Sequence, residues 1–336
     1  MRILVTGGDG MLGSILVRLL IEQKHDVSVF THPSSKSGTL DGLSVTKFIG
    51  CVLQPGEVDH AVKGHDAIIH AAAVTDVWPA RSEKVRKINI EGTKNVISAA
   101  LKNGIKRFVY IGSGSSVNAK DAPGSRYPFP GAKYGLDYID SKYYALQLVM
   151  EAAKNDGLPA IAVLPSYMIG PYDSVPGSGR MIQTLASGKL KFYTDGGRNF
   201  VYSKDVAVAV ANSLTKGQTG KYYIAGNENL TYKEFFSKVA AVVGVREPVV
   251  RVPGWTVKAI GFISDTIAAV SHKPPLLSYP MARISCDRQY VSSEDAVREL
   301  HMPQTKIEEA IKECYSWFID NGYIKSKKNY VPHPET

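Results

Sequence analysis

The chain has 336 residues, of which 44% are hydrophobic and 21% are charged, a composition typical of a folded protein with one large core or two smaller ones. Its net charge of +9 is spread along the sequence, which favours anionic small ligands, and we expect no nucleic-acid partner. Three widely spaced cysteines, Cys51, Cys286 and Cys314, show no metal-ligand pattern and cannot build a disulfide framework. We therefore expect no metal site and a reducing, cytoplasmic environment.

No targeting or membrane-spanning segment is predicted. The first motif begins within six residues of Met1, which leaves no room for a signal peptide. The most apolar later stretch, Trp255 to Val270, is interrupted by Lys258 and Asp265 and is too short to span a bilayer. We expect an amphipathic helix there.

The sequence begins MRILVTGGDGMLG, an apolar strand followed by a glycine turn, and helical spacing of apolar residues then runs from Ser14 to Glu22. A turn of this kind points the first free N–H groups of the helix at whatever lies above the strand, and a pyrophosphate fits there. Gly7 would make the tight turn, Gly10 would let the backbone approach the phosphates, and Gly13 would allow close packing of helix on strand. The alternative is a tight turn with no ligand.

A second strand, Val27 to Phe30, is followed by residues that bear on the choice of dinucleotide. A carboxylate there would accept a hydrogen bond from the adenine ribose and repel a 2′-phosphate, but none is present. His32, Ser34 and Lys36 offer a polar and basic surface instead, which favours NADP(H) while also admitting NAD(H).

Further strands are predicted at Val45 to Ile49, Asp66 to His70 and Arg107 to Ile111, and they alternate with helical stretches such as the one that Asn89 opens. This alternation indicates βαβ units and a parallel sheet. The small residues Ala71, Ala72 and Ala73 after the fourth strand would let a cofactor lie against the backbone. Residues 199–213 and 222–225 are expected to return to the sheet.

Tyr138 and Lys142 lie four residues apart on a predicted helix, so that a phenol and an ammonium share one face. A tyrosine has an ordinary pKa near ~10, and a neighbouring positive charge favours its phenolate. Ser113, at the end of the preceding strand, would hydrogen-bond a substrate oxygen. On its own this spacing more often marks a surface pair, but its order after the glycine turn and the serine indicates a catalytic group.

These motifs resemble those of the extended or atypical short-chain dehydrogenases/reductases, the family that includes NAD-dependent epimerase/dehydratases. Within it the chain is most similar to the branch of dihydroflavonol 4-reductase-like and hopanoid-associated sugar epimerase-like proteins. The matching motifs are TGGDGMLG, HAAA, Asn89-x-x-Gly-Thr, Ser113, Tyr138-x-x-x-Lys142, Pro165 before Gly170-Pro171, and FVYSKD ending at Asp205.

The resemblance implies an α/β fold: a Rossmann-type doubly wound parallel sheet (residues 1–165 and 199–226) with a smaller C-terminal substrate-binding lobe (166–198 and 227–330). It implies that Ser113, Tyr138 and Lys142 are catalytic and that Asn89 supports a proton relay. The implied cofactor-binding residues are Gly7, Gly10, Met11, Leu12, Gly13, His32, Ser34, Lys36, Val52, Ala71, Ala72, Ala73, Tyr138, Lys142, Pro165 and Met168. The implied substrate-binding residues are Ser115, Tyr167 and Arg198.

Three positions depart from the family pattern. Gly50 is followed by Cys51 where the family often has an aspartate that meets the adenine. Gly114 and Ser115 stand where dehydratases carry an Asp-Glu pair, so dehydration is not expected. An asparagine typical of sugar-nucleotide epimerases is missing from residues 164–169, although Arg198 lies where those enzymes hold the nucleotide diphosphate.

The leading hypothesis is an NADP(H)-preferring carbonyl reductase that converts an aldehyde or ketone to an alcohol. Tyr138 would be the proton donor, Ser113 would orient the oxygen, and Lys142 would hold the ribose and lower the pKa of the tyrosine. The first alternative is a nucleotide-sugar epimerase that retains NAD. A 3β-hydroxysteroid dehydrogenase-like enzyme is a variant of the first hypothesis, and a dinucleotide-binding sensor without turnover is a third. The resemblance also implies a homodimer formed through the Tyr/Lys helix and the helix before it.

Overall fold

The computed structural model describes residues 1–35, 38–117, 129–271, 273–275 and 277–325. Within these residues the main unit is a seven-stranded parallel sheet. Its strands are β1 (Arg2–Thr6), β2 (Asp26–Thr31), β3 (Thr46–Ile49), β4 (Ala67–His70), β5 (Arg107–Ile111), β6 (Ala160–Pro165) and β10 (Tyr222–Ala225). The predicted Rossmann-type α/β fold is therefore confirmed.

The order of the strands decides where a ligand can bind. Across the sheet the order is β10-β6-β5-β4-β1-β2-β3, with every neighbouring pair parallel. The chain runs outward from β1 to β3, returns to the other side of β1, and runs outward again from β4. Sheets of this kind bind ligands beyond the carboxyl ends of the strands at such a reversal. The register places the end of β1, Thr6, beside Phe30 and His70 at that edge.

Successive side chains of a strand point to opposite faces of the sheet, and here the side chains on both faces are apolar and buried. On β1, for example, Ile3 and Val5 belong to one core cluster and Leu4 to the other. The first cluster contains residues of α1 (Met11–Glu22), α7 (Ser203–Asn212) and α11 (Glu294–Leu300). The second contains residues of α2 (Pro55–Val62), α4 (Gly92–Lys102) and α5 (Asp137–Asn155).

A second, smaller sheet lies after β6 in the chain. It consists of β11 (Glu228–Thr231), β9 (Gly197–Tyr202) and β13 (Arg288–Gln289), with β7 (Tyr167–Ile169) also paired to β9. A two-stranded ladder joins β8 (Phe192–Tyr193) to β12 (Val250–Arg251). The helices α6 (Arg180–Ala186), α8 (Tyr232–Val243) and α12 (Ile307–Asp320) share a core cluster with the smaller sheet.

The expectation that residues 199–213 return to the main sheet was wrong for the strand. Strand β9 pairs instead with β7, β11 and β13 of the smaller sheet. Two of these strands, β11 and β13, come from later parts of the sequence, so the sequence around β9 does not specify them. Helix α7, which follows it, does pack against α1 on the main sheet. Residues 222–225 enter the main sheet as β10, parallel to β6.

The helix predicted to begin at Asn89 begins earlier and contains an irregular turn. It starts as α3 (Glu83–Arg86), where the Ser82 hydroxyl accepts a hydrogen bond from the N–H of Val85. A π-helical turn follows at Lys87–Glu91 and leads into α4. Such turns are often found at functional sites because they re-aim one side chain, and here the inserted turn contains Asn89.

The amphipathic helix expected near residue 255 is present as α9 (Gly254–Ser271), packed against α10 (Tyr279–Ile284). The loop predicted to include Tyr279 and Pro280 is thus partly helical. Much of the apolar surface of α9 faces solvent, with only Val257, Gly261 and Ala268 buried. Among the residues that the structure describes, none of the helices combines the length and apolar character needed to cross a membrane.

Candidate active site

The glycine turn after β1 forms a cradle at the reversal point of the sheet. Gly7 has a left-handed backbone (φ +68°), and a Cβ there would lie 2.8 Å from the Cα of Ala72. At Gly13 a Cβ would lie 2.7 Å from the Cα of Gly8, so this glycine lets α1 pack on the turn. Above Gly10, in contrast, a Cβ would meet only the carbonyl oxygen of Gly7, at 3.6 Å. The cradle is closed on the protein side and open at Gly10, as a bound phosphate requires.

Helix α1 begins at this opening. The first N–H groups of a helix have no partner within it and carry its positive dipole end, and here they belong to Met11 and its neighbours. The side chain of Leu12 is buried in the core, so only its main chain can face a phosphate. No acidic residue lies in the first turn of α1 to oppose an anion.

The segment after β2 is folded into a local turn and tied to the glycine turn. The His32 ring Nδ1 lies 2.7 Å from the Ser34 hydroxyl, and the Ser35 hydroxyl donates a hydrogen bond to the Asp9 carboxylate. Asp9 thus brings a carboxylate to this place from the glycine turn, which the sequence search after β2 did not detect. Lys36 lies outside the described residues.

The segments after β3 and β4 complete the cradle. Val52 is buried against α4, where a Cβ on Gly92 would meet it at 2.6 Å, and its carbonyl accepts a hydrogen bond from Asn95. Only its main chain can therefore face an adenine. Ala71, Ala72 and Ala73 are partly exposed beside Gly7.

A directed chain of hydrogen bonds links this cradle to the π-helical turn. The Thr93 hydroxyl donates to the Asn89 carbonyl (2.7 Å), so His70 Nε2, 3.1 Å away, must donate to Thr93. His70 Nδ1 then accepts from the Thr6 hydroxyl (2.8 Å), which accepts in turn from the Ala72 N–H (3.2 Å). Burial lowers the pKa of His70 to about 3, which keeps the ring neutral as this chain requires. Sequence reasoning identified the HAAA motif but not this role.

Tyr138 and Ser113 meet at the end of β5. Burial raises the pKa of the Tyr138 phenol above its ordinary value, while hydrogen bonding with Ser113 and the positive charge of Arg198 act in the opposite direction. The phenol is therefore neutral at pH 7, with two groups placed to stabilise its anion. The Ser113 hydroxyl also lies 2.7 Å from that of Ser115, which places Ser115 at the same end of the site.

The sequence predicts that Lys142 acts on the Tyr138 phenol, and the contacts of its side chain in the structure lie at the end of β5. Its ammonium is buried and donates to the carbonyl of Ile111 (3.0 Å), above the ring of Tyr110. The cation that lowers the pKa of Tyr138 is Arg198, a residue 60 positions further along the chain. The spacing of residues on a helix determines which face a side chain lies on, but not the direction in which a long side chain extends. The Lys142 side chain extends to the carbonyl of Ile111, at the end of β5. Burial lowers the pKa of Lys142 itself to about 8.

Asn89 is buried and fully engaged. Its amide oxygen accepts from the N–H of Val74 (2.8 Å), and its amide nitrogen donates to the carbonyl of Val74 and to the Ser141 hydroxyl (both 2.9 Å). Ser141 lies on α5 between Tyr138 and Lys142. Asn89 thus joins the segment after β4 to the helix that carries Tyr138.

Arg198 contacts two tyrosine side chains on the other side of the site. Its guanidinium stands 4.6 Å from the centre of the Tyr167 ring, and its Nε donates to the Tyr232 hydroxyl (2.9 Å). Burial raises the pKa of Tyr167 to about 12. Within the described part of the chain no carboxylate pairs with Arg198, so its charge is available to a substrate anion or to the Tyr138 phenolate. Tyr232 was not identified from the sequence, since it begins a helix in the irregular C-terminal part.

Pro165 is the last residue of β6, the neighbour of β5, and Met168 lies just after it on β7. The carbonyl oxygen of Pro165 would lie 3.3 Å from a Cβ on Gly114, which puts the end of β6 against the Ser113 turn. Met168, on β7, is partly buried against the core of the main sheet. Of the residues predicted from the sequence, the glycines, the alanines, Ser113 and Pro165 lie at the carboxyl ends of β1, β4, β5 and β6. Most of the others follow β2 or β3, lie on α5, or lie on strands of the smaller sheet.

Comparison with known proteins agrees with this geometry. The model of the NAD dependent epimerase/dehydratase family matches residues 3–226. The chain belongs to this family. Its resemblance to the extended short-chain dehydrogenases/reductases is thereby confirmed, and members of the family bind NAD(H) or NADP(H).

Two curated relatives match almost the whole chain. One, from Synechocystis sp. (strain ATCC 27184 / PCC 6803 / Kazusa), is named "Putative dihydroflavonol 4-reductase" and is 30% identical over 96% of this chain and 96% of its own length. The other, a 2-alkyl-3-oxoalkanoate reductase from Stenotrophomonas maltophilia (strain K279a), is 31% identical over 93% of this chain and 98% of its own length. The crystal structure of gox2253 is 30% identical, covers 96% of this chain and 99% of its own, and has a TM-score of 0.83.

The residues present fit a nicotinamide dinucleotide. The cradle at Gly7 and Gly13 has no space for a side chain, while the approach to Gly10 is free. The main-chain N–H groups of α1 would hold the pyrophosphate, the alanines after β4 would face the sugar, and Lys142 would hold the nicotinamide ribose. When bound, this group supplies or accepts the hydride.

Proposed function

We propose that this protein is an NADP(H)-preferring reductase that converts an aldehyde or ketone to an alcohol. The observation that carries the proposal is the Tyr138 phenol: it is kept protonated by burial, yet Ser113 and Arg198 both stabilise its anion. A group of this kind can give a proton to a carbonyl oxygen at pH 7 and can bear the charge that results.

The proposed roles follow from the placement of each side chain. Ser113 holds the substrate oxygen beside Tyr138, and Tyr138 donates its proton to that oxygen as the carbonyl carbon is reduced. Arg198 stabilises the phenolate that forms, an interaction that strengthens in the transition state. Asn89 is a positioning residue, because it holds α5 to the segment after β4.

Arg198 also bears on the substrate class. A guanidinium without a carboxylate partner in the described residues suits a substrate that carries its own anionic group. One relative is named for a 2-alkyl-3-oxoalkanoate, a compound that combines a ketone with a carboxylate. We therefore propose a carbonyl compound bearing an acidic group, with Tyr138 at the ketone, Arg198 at the anion, and Tyr167 and Ser115 lining the pocket. A 3β-hydroxysteroid, which lacks that anion, is the less favoured variant.

The preference for NADP(H) depends on the segment after β2. The hydroxyls and the imidazole of Ser34 and His32 support it, and the Asp9 carboxylate, bonded to Ser35, restricts it. NAD(H) is the second cofactor of the proposal. Titration of the purified protein with NADPH and NADH, followed by nicotinamide fluorescence, measures the ratio of the two dissociation constants directly.

The decisive experiment is Tyr138→Phe, assayed with NADPH and a panel of 3-oxo acids, ketones and aldehydes. Loss of the proton donor is expected to lower kcat by roughly 10²- to 10⁴-fold, while the Kd for NADPH stays within about twofold. Phenylalanine keeps the ring in its partly buried place, so a loss of folding is not expected. Near-normal turnover by this variant would refute the assignment.

A second candidate, a nucleotide-sugar epimerase, is favoured by Arg198 alone, since a free guanidinium also suits a diphosphate. An epimerase oxidises and re-reduces its substrate, so it has to retain its NAD. Purified protein that carries bound NAD and interconverts nucleotide sugars without added cofactor would establish this function in place of the reductase.

The family resemblance further supports a homodimer through α4 and α5. Each of these helices exposes a large apolar side chain, Leu101 on α4 and Tyr144 on α5. Sedimentation equilibrium of the purified protein measures its oligomeric state directly.

A further inference from the structure

Helix α9 presents an apolar surface to solvent. It contacts α10 through a narrow stripe in which Gly261 allows close approach: a Cβ there would lie 2.7 Å from that of Ala282. The remainder of the helix carries large apolar side chains that are mostly exposed, from 48% for Ile260 to 81% for Val270. These are Trp255, Ile260, Phe262, Ile263, Ile267 and Val270. Two further exposed valines precede the helix: Val250 on strand β12 and Val249 just before that strand.

The polar groups of α9 leave this surface apolar. Asp265 faces α10, where its carboxylate accepts a hydrogen bond from the N–H of Tyr279 (2.8 Å). The Thr266 hydroxyl is satisfied within the helix, because it donates to the carbonyl of Phe262 (2.9 Å). The only other charged residue of α9, Lys258, is exposed about 100° around the helix from the buried Val257.

Charge distinguishes a membrane from other occupants of this surface. Residues 251–283 contain four Lys or Arg and one Asp, and although Arg251 is paired with Asp195, the balance of this segment and of the whole chain, with its net charge of +9, is positive. Lys258 and Lys273 are exposed beside the apolar surface. A helix with an apolar side, an aromatic residue near its end and lysines at its borders is suited to lie in the surface of an anionic bilayer.

A second copy of the chain suits the surface less well. An 18-residue helix presents roughly 300 Å² on one side, from a rise of ~1.5 Å per residue and a width of ~10 Å. Each partner in a stable protein pair buries about 800 Å². The convex outer side of one helix is therefore too small for a stable dimer, but a fluid lipid surface can surround it.

We propose that α9 docks this protein onto the surface of a membrane containing anionic lipid, with Trp255, Phe262, Ile263, Ile267 and Val270 inserted among the lipid chains. The helix lies in the interface and does not cross it. Its partner α10 contributes Met281 to the same apolar cluster as Tyr138, so α10 lies between the docking helix and the substrate side of the site. The binding itself is independent of the proposed reaction.

The test is sedimentation of the purified protein with vesicles of phosphatidylcholine alone and of phosphatidylcholine mixed with phosphatidylglycerol. We expect binding to the mixed vesicles, weaker binding to the neutral ones, and a decrease as salt screens the lysines. Val270→Glu should lower the partition coefficient about tenfold, and the double variant Phe262→Glu/Ile267→Glu should abolish binding.

The chain offers a matched control. Val175, in the loop before α6, is 83% exposed, close to the 81% of Val270. Val175→Glu makes the same change of charge and polarity away from α9 and should bind as the unsubstituted protein does. Circular dichroism and thermal unfolding verify that each variant is folded.

Three outcomes would overturn the proposal: no binding to either vesicle, equal loss with Val175→Glu and Val270→Glu, or unchanged binding with the double variant. Self-association that the double variant removes, without vesicle binding, would instead assign the surface to a second copy. None of these measurements requires turnover, so their result is separate from that of Tyr138→Phe.

Discussion

The two walls of the active site differ in the chemical groups that form them. The wall on the main sheet consists of main chain and the smallest side chains, with Gly7 against Ala72 and Gly13 against the turn. The opposite wall consists of aromatic rings and a guanidinium, in which Arg198 contacts Tyr167 and Tyr232. The first wall uses the glycine turn and the segment after β4, whereas the second is assembled from three separate segments.

This difference gives the two walls separate roles in binding. A main-chain surface presents the same N–H groups whatever the neighbouring side chains are, so it suits a phosphate group that every member of the family must hold. A side-chain surface changes its charge and shape with each substitution, so it can select among substrates. We infer that the cradle determines the class of cofactor and that the aromatic wall determines the substrate.

The largest effect is expected from a methyl group in the cradle. In Gly13→Ala the new Cβ would lie 2.7 Å from the Gly8 Cα, and since that atom is main chain it cannot move aside. We expect the free energy of unfolding to fall by about 3 kcal/mol, measured by urea denaturation.

Gly10→Ala is the matched change. Its Cβ would meet only the Gly7 carbonyl, and its backbone (φ −77°, ψ 172°) is one that alanine adopts freely. Stability should stay within about 0.5 kcal/mol of the unsubstituted protein, while affinity for NADPH falls at least about tenfold, because the methyl occupies space meant for a phosphate. If both variants lost stability equally, the distinction between packing and binding glycines would be wrong.

On the opposite wall, Arg198→Met tests the link between substrate binding and proton transfer. Methionine keeps the apolar contact with the rings but removes the charge, so we expect kcat/KM to fall by roughly 10- to 100-fold, or about 2 kcal/mol. Because the charge lowers the pKa of Tyr138, its removal should shift the pH profile of alcohol oxidation, which needs the phenolate, toward higher pH.

The control for this variant is Arg251→Met, which removes an exposed guanidinium paired with Asp195 in the same part of the molecule. It should leave both kcat/KM and the pH profile unchanged. A pH profile that did not move in Arg198→Met would show that the guanidinium acts only on the substrate.

The comparison also explains how much could be read from the sequence. Most strands of the main sheet and the glycine turn were predictable, because each depends on residues close together in the chain. In β1, for example, strict alternation of buried side chains on two faces leaves few other structures for that segment. The order of the motifs also indicated Ser113 and Tyr138, which the structure brings together at the end of β5.

The remainder depends on contacts between distant segments. Strand β9 pairs with β11 and β13, the second of which lies 91 residues later (Gly197 to Arg288), and no local pattern specifies those partners. The influence of Arg198 on Tyr138 arises in the same way, as does the direction of the Lys142 side chain toward Ile111. The exposed apolar surface of α9 was likewise hidden, because the helix shows ordinary amphipathic spacing but buries only its narrow side.

The smallest effect concerns His70, which joins the cradle to the turn that holds Asn89. Its pKa is lowered from 6.5 to about 3 by burial, so the unfolded chain binds one more proton than the folded one between those pH values. The stability associated with the neutral ring is therefore complete above pH 6.5 and is lost as the pH falls toward 3.

The slope of this loss approaches about 1.4 kcal/mol per pH unit within that range. In His70→Phe this term is absent, while two threonine hydroxyls lose a partner, so we expect the variant to be less stable at pH 7 by about 2 kcal/mol but less sensitive to acid. Urea denaturation at pH 7, 6 and 5 measures both quantities. Parallel pH dependences for the two proteins would mean that His70 accepts a proton in the folded state, and the directed chain from Ala72 to Asn89 would then be wrongly assigned.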